Sequence, residues 1–185
     1  MEQPKRDRAL AHAFVAFTKH GFKRLSMQDL ANHMGVSRGT LYLWFKDKEE
    51  VFKATTRYYA NGLIKEIEAD IGKKKTAEDR ILFAFEIWAI KDFEKHRFSP
   101  EALEIVEGYK SFAKEEYEEA HQKFEGVVSA QLKILFKLEP ERKILAADRL
   151  AHLIVASSRG FKLYAKNGED LRRMIQDHLR IVLRK

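Results

Sequence analysis

Apolar residues recur at helical spacing along nearly the whole chain, and short polar or glycine-containing stretches separate the helical segments. The first predicted helix spans about 5–20 and carries Leu10, Phe14 and Phe17 on one face. Gly21 follows it at a position where a helix ends. The pattern therefore predicts an all-α protein that begins with a short, aromatic-rich helical module.

Residues 26–45 predict two short helices joined by a tight turn. Ser26 is a good N-cap for the first helix, and Ser37 is a good N-cap for the second. Gly35 can adopt the positive φ that ends a helix and reverses the chain. The spacing Ala31-x-x-x-Gly35 also places small residues where two helices cross at a steep angle. The stretch therefore predicts a helix-turn-helix, whose second helix lies in the DNA major groove.

The second of these helices, called the recognition helix below, must bury one face and expose another. The pattern buries Leu41 together with Trp44 or Phe45, and it exposes either Tyr42 or Trp44. Arg38 is the first choice for direct reading of a base, because its guanidinium can engage guanine O6 and N7 together. An N-terminal basic arm, Lys5, Arg6 and Arg8, fits either a solvated tail or a weak phosphate contact.

The second half of the chain predicts longer helices. One runs from Asp47, its cap, to about residue 71, and the segment 81–90 is apolar nearly all round. Ser99-Pro100 opens one or two amphipathic helices that reach about residue 137. Pro140 is expected to open a further helix to about residue 166, closed by Asn167-Gly168, before a last helix.

The helix-turn-helix segment resembles the DNA-binding region of the TetR-type (tetracycline-repressor-like) transcriptional regulators. The likeness runs from Leu25 to Lys48 and is densest over GVSRGTLYLWFKDKEEVF. The residues that match the family pattern are Gly21-Phe22, Ser26, Leu30-Ala31, Gly35-Val36-Ser37, Gly39-Thr40-Leu41-Tyr42, Phe45 and Lys48-Glu49.

The resemblance implies a helix-turn-helix DNA-binding domain over 1–46 and a helical effector-binding and dimerisation domain over 47–185, with 47–71 as the linking helix. It implies a homodimer formed through the last two helices. The implied function is a sequence-specific regulator, a repressor of a palindromic operator that a small apolar or aromatic ligand releases. No cofactor is expected.

Two sets of site residues are expected. The DNA contacts combine the exposed side of the recognition helix with groups at helix N-termini, where backbone amides and the helix dipole favour phosphate. They are Ser26, Gln28, Ser37, Arg38, Gly39, Thr40, Tyr42, Leu43, Trp44 and Lys48. Aromatic residues that could line an effector pocket, and that also fit an ordinary core, are Phe85, Trp88, Tyr109, Phe112, Phe124 and Phe161.

Composition supports this interpretation. The formal net charge is +7, and residues 1–58 carry 11 Lys/Arg against 6 Asp/Glu, so most of the basic excess surrounds the motif. The chain has no cysteine, and no apolar run approaches the roughly 18 residues of a membrane span. A cytoplasmic protein with no membrane partner is expected.

Three other functions compete with this interpretation. Glu118-x-x-His121 has the spacing of a di-iron helical bundle, but that site needs a second copy of the motif, and the chain has none. A helical adaptor would dock its basic module onto another protein and would show no salt-sensitive DNA affinity. A ligand-independent activator would bind DNA in the same way as the repressor.

Overall fold

The computed structural model describes residues 2–91, 93 and 99–184, with the backbone alone for residues 2 and 3. Within these residues every regular element is helical, so the predicted all-α class is confirmed. The α-helices are α1 (Glu2–His20), α2 (Met27–Met34), α3 (Arg38–Trp44), α4 (Lys48–Asp70), α5 (Ala77–Phe85), α6 (Pro100–Ser111), α7 (Lys114–Leu138), α8 (Ala147–Tyr164) and α9 (Gly168–Val182).

Three local predictions in the second half differ from the structure. Segment 81–90 is not one α-helix, because α5 changes into a π-helical turn over Glu86–Ile90. Pro140 opens only a short 3-10 turn, Pro140–Arg142, and α8 begins later at Ala147. Proline pre-sets the first turn of either helix type, so it does not distinguish a 3-10 turn from a longer helix.

The pair Asn167-Gly168 opens α9 and does not close α8. The Asn167 side chain accepts a hydrogen bond from the backbone N–H of Asp170 at 2.8 Å, which is an N-cap contact. Asparagine and glycine are both common at either end of a helix, so the pair alone could not decide between the two.

The chain divides into two compact units by its packing. The N-terminal unit takes its described residues from Met1–Gly62 and His96–Ala120, and the C-terminal unit takes them from Leu63–Lys95 and His121–Lys185. The sequence predicts a domain boundary after residue 46, whereas the packing divides α4 after Gly62 and α7 after Ala120. The packing also groups α6 with the helix-turn-helix. The assignment of DNA binding and effector binding to two separate domains stays a prediction.

The core of the N-terminal unit is built from aromatic rings. The Phe52 ring lies 5.2 Å from Phe17, 5.6 Å from Phe22 and 5.4 Å from Phe112 between ring centroids. Edge-to-face pairs at these distances are the favoured arrangement for phenylalanine. Residues of α1, α2, α3, the start of α4 and α6 thus share one core, which supports the helix-turn-helix.

Candidate DNA interface

The first helix of the motif, α2, has a complete capping box. Ser26 Oγ accepts the backbone N–H of Asp29 at 3.1 Å, and the Asp29 carboxylate accepts the backbone N–H of Ser26 at 2.9 Å. The hydrogen bonds from Ser26 hold the pKa of Asp29 below its ordinary value. Gly35 ends α2 with φ of +68°, so the predicted positive φ is confirmed. The capping box thus fixes the start of α2, and Gly35 fixes its end, where the turn to α3 begins.

The recognition helix is α3, and its rotation is set by the core. Leu41 and Phe45 are buried, whereas Trp44 is half-buried with its ring edge-to-face against Phe45. The opposite side carries Tyr42, which is 45% exposed, and Leu43, which is 86% exposed. Trp44 and Phe45 were alternatives for the inward face of the helix. Both pack inward, and Phe45 is buried more deeply than Trp44.

The N-terminus of α3 is capped and open to solvent. Ser37 Oγ accepts the backbone N–H of Thr40 at 3.0 Å and lies 2.8 Å from Thr40 Oγ1. Ser37, Arg38 and Gly39 are exposed, and no atom lies close to a Cβ built at Gly39 except Ser37 Oγ at 3.8 Å. A phosphate or a base edge can thus approach the first turn of α3 closely.

Arg38 is available for base reading. Its guanidinium lies over the Tyr42 ring, 5.5 Å from the centroid, and it has no carboxylate partner among the described residues. Stacking on an aromatic ring orients a guanidinium and leaves its five N–H donors free. This arrangement suits a bidentate contact with guanine.

Lys48 has a structural role that the sequence did not indicate. Its ammonium donates to the carbonyl oxygen of Phe22 at 2.8 Å and to that of Leu25 at 2.7 Å, and it lies 4.3 Å from the centroid of the Phe22 ring. Burial lowers the pKa of Lys48. Lys48 thus fastens the loop between α1 and α2, and a direct phosphate contact from this ammonium stays a prediction.

Sequence reasoning missed the partners of the same loop on α6. Lys23 Nζ lies 3.0 Å from the Glu107 carboxylate, and the Arg24 guanidinium lies 2.8 Å from that of Glu101. The sequence shows glutamates three residues apart on one helix face. It does not show that their partners lie in a loop some 80 residues away.

The basic arm is part of a helix in the structure. Lys5, Arg6 and Arg8 lie in α1, and the Arg6 guanidinium packs over the Phe45 ring at 4.7 Å from the centroid. Lys5 and Arg8 are exposed. Arg6 therefore braces the end of α3 through a cation–π contact, and Lys5 and Arg8 remain open to solvent.

The six expected effector residues do not form one set. Tyr109 and Phe112 pack in the core of the N-terminal unit, where burial raises the pKa of Tyr109 to about 12. The other four, Phe85, Trp88, Phe124 and Phe161, belong to the core of the C-terminal unit. The aromatic residues were correctly expected to be core candidates. Their sequence positions alone do not show which of the two cores each one joins.

The structure also describes the Glu118-x-x-His121 motif and the apolar character of the helices. Glu118 is exposed, whereas His121 is buried and its ring lies edge-to-face with that of Trp88. Among the described residues, none of the helices combines the length and the apolar character that crossing a membrane requires.

Comparison with known proteins agrees with the geometry of the motif. Residues 9–55 match the family described as bacterial regulatory proteins, tetR family. The HTH-type transcriptional regulator YerO of Bacillus subtilis (strain 168) is 32% identical over 77 residues, which cover 40% of this chain and 27% of YerO. The fatty acid metabolism regulator protein of the same organism is 28% identical over 80 residues, covering 43% and 41% of the two chains. The chain thus matches less than half the length of either relative.

The whole fold also has a counterpart among solved structures. Thermus thermophilus FadR, a TetR-family transcriptional repressor solved in complex with lauroyl-CoA, superposes with a TM-score of 0.67 at 18% identity and covers 96% of this chain and 93% of its own. Such a likeness shows a shared fold. Together with the match over residues 9–55, it makes the chain similar to TetR-family regulators in sequence over the helix-turn-helix and in fold over nearly its whole length.

Proposed function

We propose that this chain is a DNA-binding transcriptional regulator that acts as a homodimer on a palindromic operator. The observation that carries the proposal is the exposed face of α3, where Arg38 stacks on Tyr42 and has no carboxylate partner within the described residues. Arg38 reads a guanine, Leu43 offers its apolar side chain to a thymine methyl group, and Tyr42 donates its hydroxyl to a phosphate. Ser26, Gln28, Ser37 and Thr40 add contacts at the N-termini of α2 and α3.

A stripe of exposed and half-buried residues on α8 supports the homodimer. Leu153, Ala156, Gly160 and Leu163 recur three or four residues apart, and Leu163 is 76% exposed. Ala156 and Gly160 allow close approach of a second helix, and the leucines supply apolar area. On α9, Ile181 is 73% exposed. A two-fold dimer through α8 and α9 would bury these side chains and present two recognition helices, which read half-sites about 34–36 Å apart.

The C-terminal unit supports an effector with an apolar or aromatic part. Trp88, on the π-helical turn, lies parallel to the Phe124 ring at 4.6 Å between centroids, and the Phe85 ring stands edge-to-face against Phe124 at 5.0 Å. Local π-helical turns recur at functional sites. The fatty acid regulator and the lauroyl-CoA complex among the relatives support a ligand with an acyl chain. The ligand acts by favouring a dimer state that binds DNA more weakly, which makes the protein a repressor released by its effector.

Selection of bound sequences from a random DNA pool tests the function. We expect a palindromic consensus, bound by the dimer with an affinity that falls steeply with salt. Addition of lauroyl-CoA to the selected complex is then expected to release the DNA, with free coenzyme A as the matched control. A protein that enriches no sequence and shows no salt-sensitive affinity for duplex DNA would contradict the proposal and favour the adaptor.

A further inference from the structure

The loop between α1 and α2, residues 21–25, is called the basic loop here because it carries Lys23 and Arg24. Three glutamates of α6, spaced three residues apart, form an acidic stripe that faces this loop: Glu101, Glu104 and Glu107. Glu101 pairs with Arg24 at 2.8 Å and Glu107 pairs with Lys23 at 3.0 Å. Both cations of the loop are therefore occupied by carboxylates of the same unit.

The middle glutamate fixes the distance between the loop and α6. Glu104 Oε2 accepts the backbone N–H of Lys23 at 2.9 Å. Gly21 has φ of +77°, and a Cβ at this position would lie 2.5 Å from Glu104 Oε2. Glycine thus suits the positive φ of the turn, and a Cβ at this position would displace the end of the Glu104 side chain.

A second close approach holds α6 on the other side of the stripe. A Cβ at Gly108 would lie 3.1 Å from Phe112 Cζ and 3.2 Å from Phe52 Cζ. Since the backbone of α6 touches these rings directly, the helix that carries the acidic stripe cannot move away from the loop without opening the shared aromatic core.

The basic loop leads directly into the surface proposed for DNA. Arg24 precedes Ser26 by two residues, which places their Cα atoms at most about 7 Å apart along an extended chain. The Arg24 and Lys23 side chains are 66% and 67% exposed, so they face solvent beside the N-terminus of α2. A phosphate bound at that N-terminus lies within reach of a long cationic side chain.

We propose that the basic loop is an additional phosphate-binding surface of the DNA interface, and that the acidic stripe of α6 withholds its two cations from DNA. This inference rests on the proposed DNA-binding function. Glu107 competes with a phosphate for the Lys23 ammonium and Glu101 for the Arg24 guanidinium, because a cation that is paired with a carboxylate does not release counterions from DNA. The stripe thus lowers the affinity for DNA of any sequence.

The test replaces the two paired glutamates with uncharged residues of the same shape, Glu101→Gln with Glu107→Gln. Binding to a mixed-sequence duplex is measured by gel shift at several salt concentrations. We expect tighter binding and a steeper salt dependence, with the slope of log K against log salt larger by about 0.9 for each released cation, or about 2 per protomer. The matched control is Glu68→Gln with Glu141→Gln, which changes the net charge equally at exposed sites that have no ion pair with any described residue.

A second pair of substitutions removes the two cations, Lys23 and Arg24, with and without the glutamate substitutions. Lys23→Gln with Arg24→Gln is expected to leave the slope of the wild type unchanged and to abolish the gain of the glutamine variant. A glutamine variant whose slope equals that of the wild type, or a gain matched by the control, would overturn the proposal. A wild-type protein that binds no duplex would instead overturn the proposed function, and this inference with it.

A measurement without DNA checks the pairing independently. The hydrogen bond and charge of Glu107 raise the pKa of Lys23, which reduces the fraction of free amine at a given pH. Glu107→Gln is therefore expected to increase the rate at which a limiting amount of acetic anhydride acylates Lys23, followed by mass spectrometry. Exposed Lys46 serves as the internal reference. An unchanged Lys23 rate relative to Lys46 would show that the pair does not persist in solution.

Discussion

The recognition helix and the basic loop are two cationic parts of one unit, and they differ in what holds their charges. Arg38 rests on a tyrosine ring and keeps its donors free, whereas Lys23 and Arg24 are paired with glutamates of α6. Net charge around the motif therefore overstates the charge that DNA can use. The comparison teaches that phosphate binding depends on which cations have carboxylate neighbours, a property that only the folded chain determines.

The largest expected effect removes the support of the basic loop. Lys48→Met keeps an unbranched side chain, one atom shorter, and removes the ammonium that donates to the carbonyl oxygens of Phe22 and Leu25. We expect a loss of about 3 kcal/mol in the free energy of unfolding, because hydrogen bonds from charged donors contribute about 1.5–3 kcal/mol each. Denaturant unfolding measures it.

Lys46→Met is the control for this experiment, since Lys46 is exposed two residues earlier. Equal stability of the two variants would contradict the role of Lys48 as a fastener of the loop. The salt dependence of DNA binding by Lys48→Met tests its other predicted role, because a direct phosphate contact requires the slope to fall by about 0.9.

The second effect concerns the free cation of the recognition helix. Arg38→Ala is expected to cost about 1–3 kcal/mol of affinity for the selected operator and to relax the base preference at one position in each half-site. Repeating the DNA selection with the variant measures both. Arg24→Ala is the comparison, and it should leave the base preference intact. Unchanged preference in Arg38→Ala would remove this residue from base reading.

The smallest effect isolates the contact between Glu104 and the loop. Gly21→Ala and Gly35→Ala both place a Cβ on a backbone with positive φ, at +77° and +68°, but only at Gly21 does the Cβ meet another residue. Each variant should lose about 1–2 kcal/mol from backbone strain. Gly21→Ala should lose about 1 kcal/mol more, because Glu104 gives up its hydrogen bond to Lys23 N–H. Equal losses in denaturant unfolding would show that this hydrogen bond adds no stability.

Local signals predicted the helix-turn-helix well. The caps Ser26 and Ser37 and the positive φ of Gly35 depend only on residues a few positions away. A short stretch of sequence is therefore enough to predict them. The buried face of α3 followed from helical spacing, although spacing alone left Trp44 and Phe45 as alternatives. These features depend on contacts within about four residues.

Contacts between distant segments were not predictable in the same way. The packing of α6 against the basic loop depends on the close approach at Gly108 and on carboxylates that face a loop some 80 residues away. The change from α5 to a π-helical turn at Glu86 has no distinctive residue pattern. The assignment of each aromatic residue to one of the two cores also needed the three-dimensional structure, because both cores contain phenylalanines at helical spacing.

The two tryptophans of the chain fall one in each unit, which gives the molecule two intrinsic optical reporters. Trp44 is half-buried on the recognition helix, and Trp88 is stacked on Phe124 in the C-terminal core. Trp88→Phe leaves indole fluorescence only beside the proposed DNA surface, and Trp44→Phe leaves it only beside the proposed effector region. Emission from the two unlabelled variants can therefore follow operator binding and effector binding as separate signals, one from each variant.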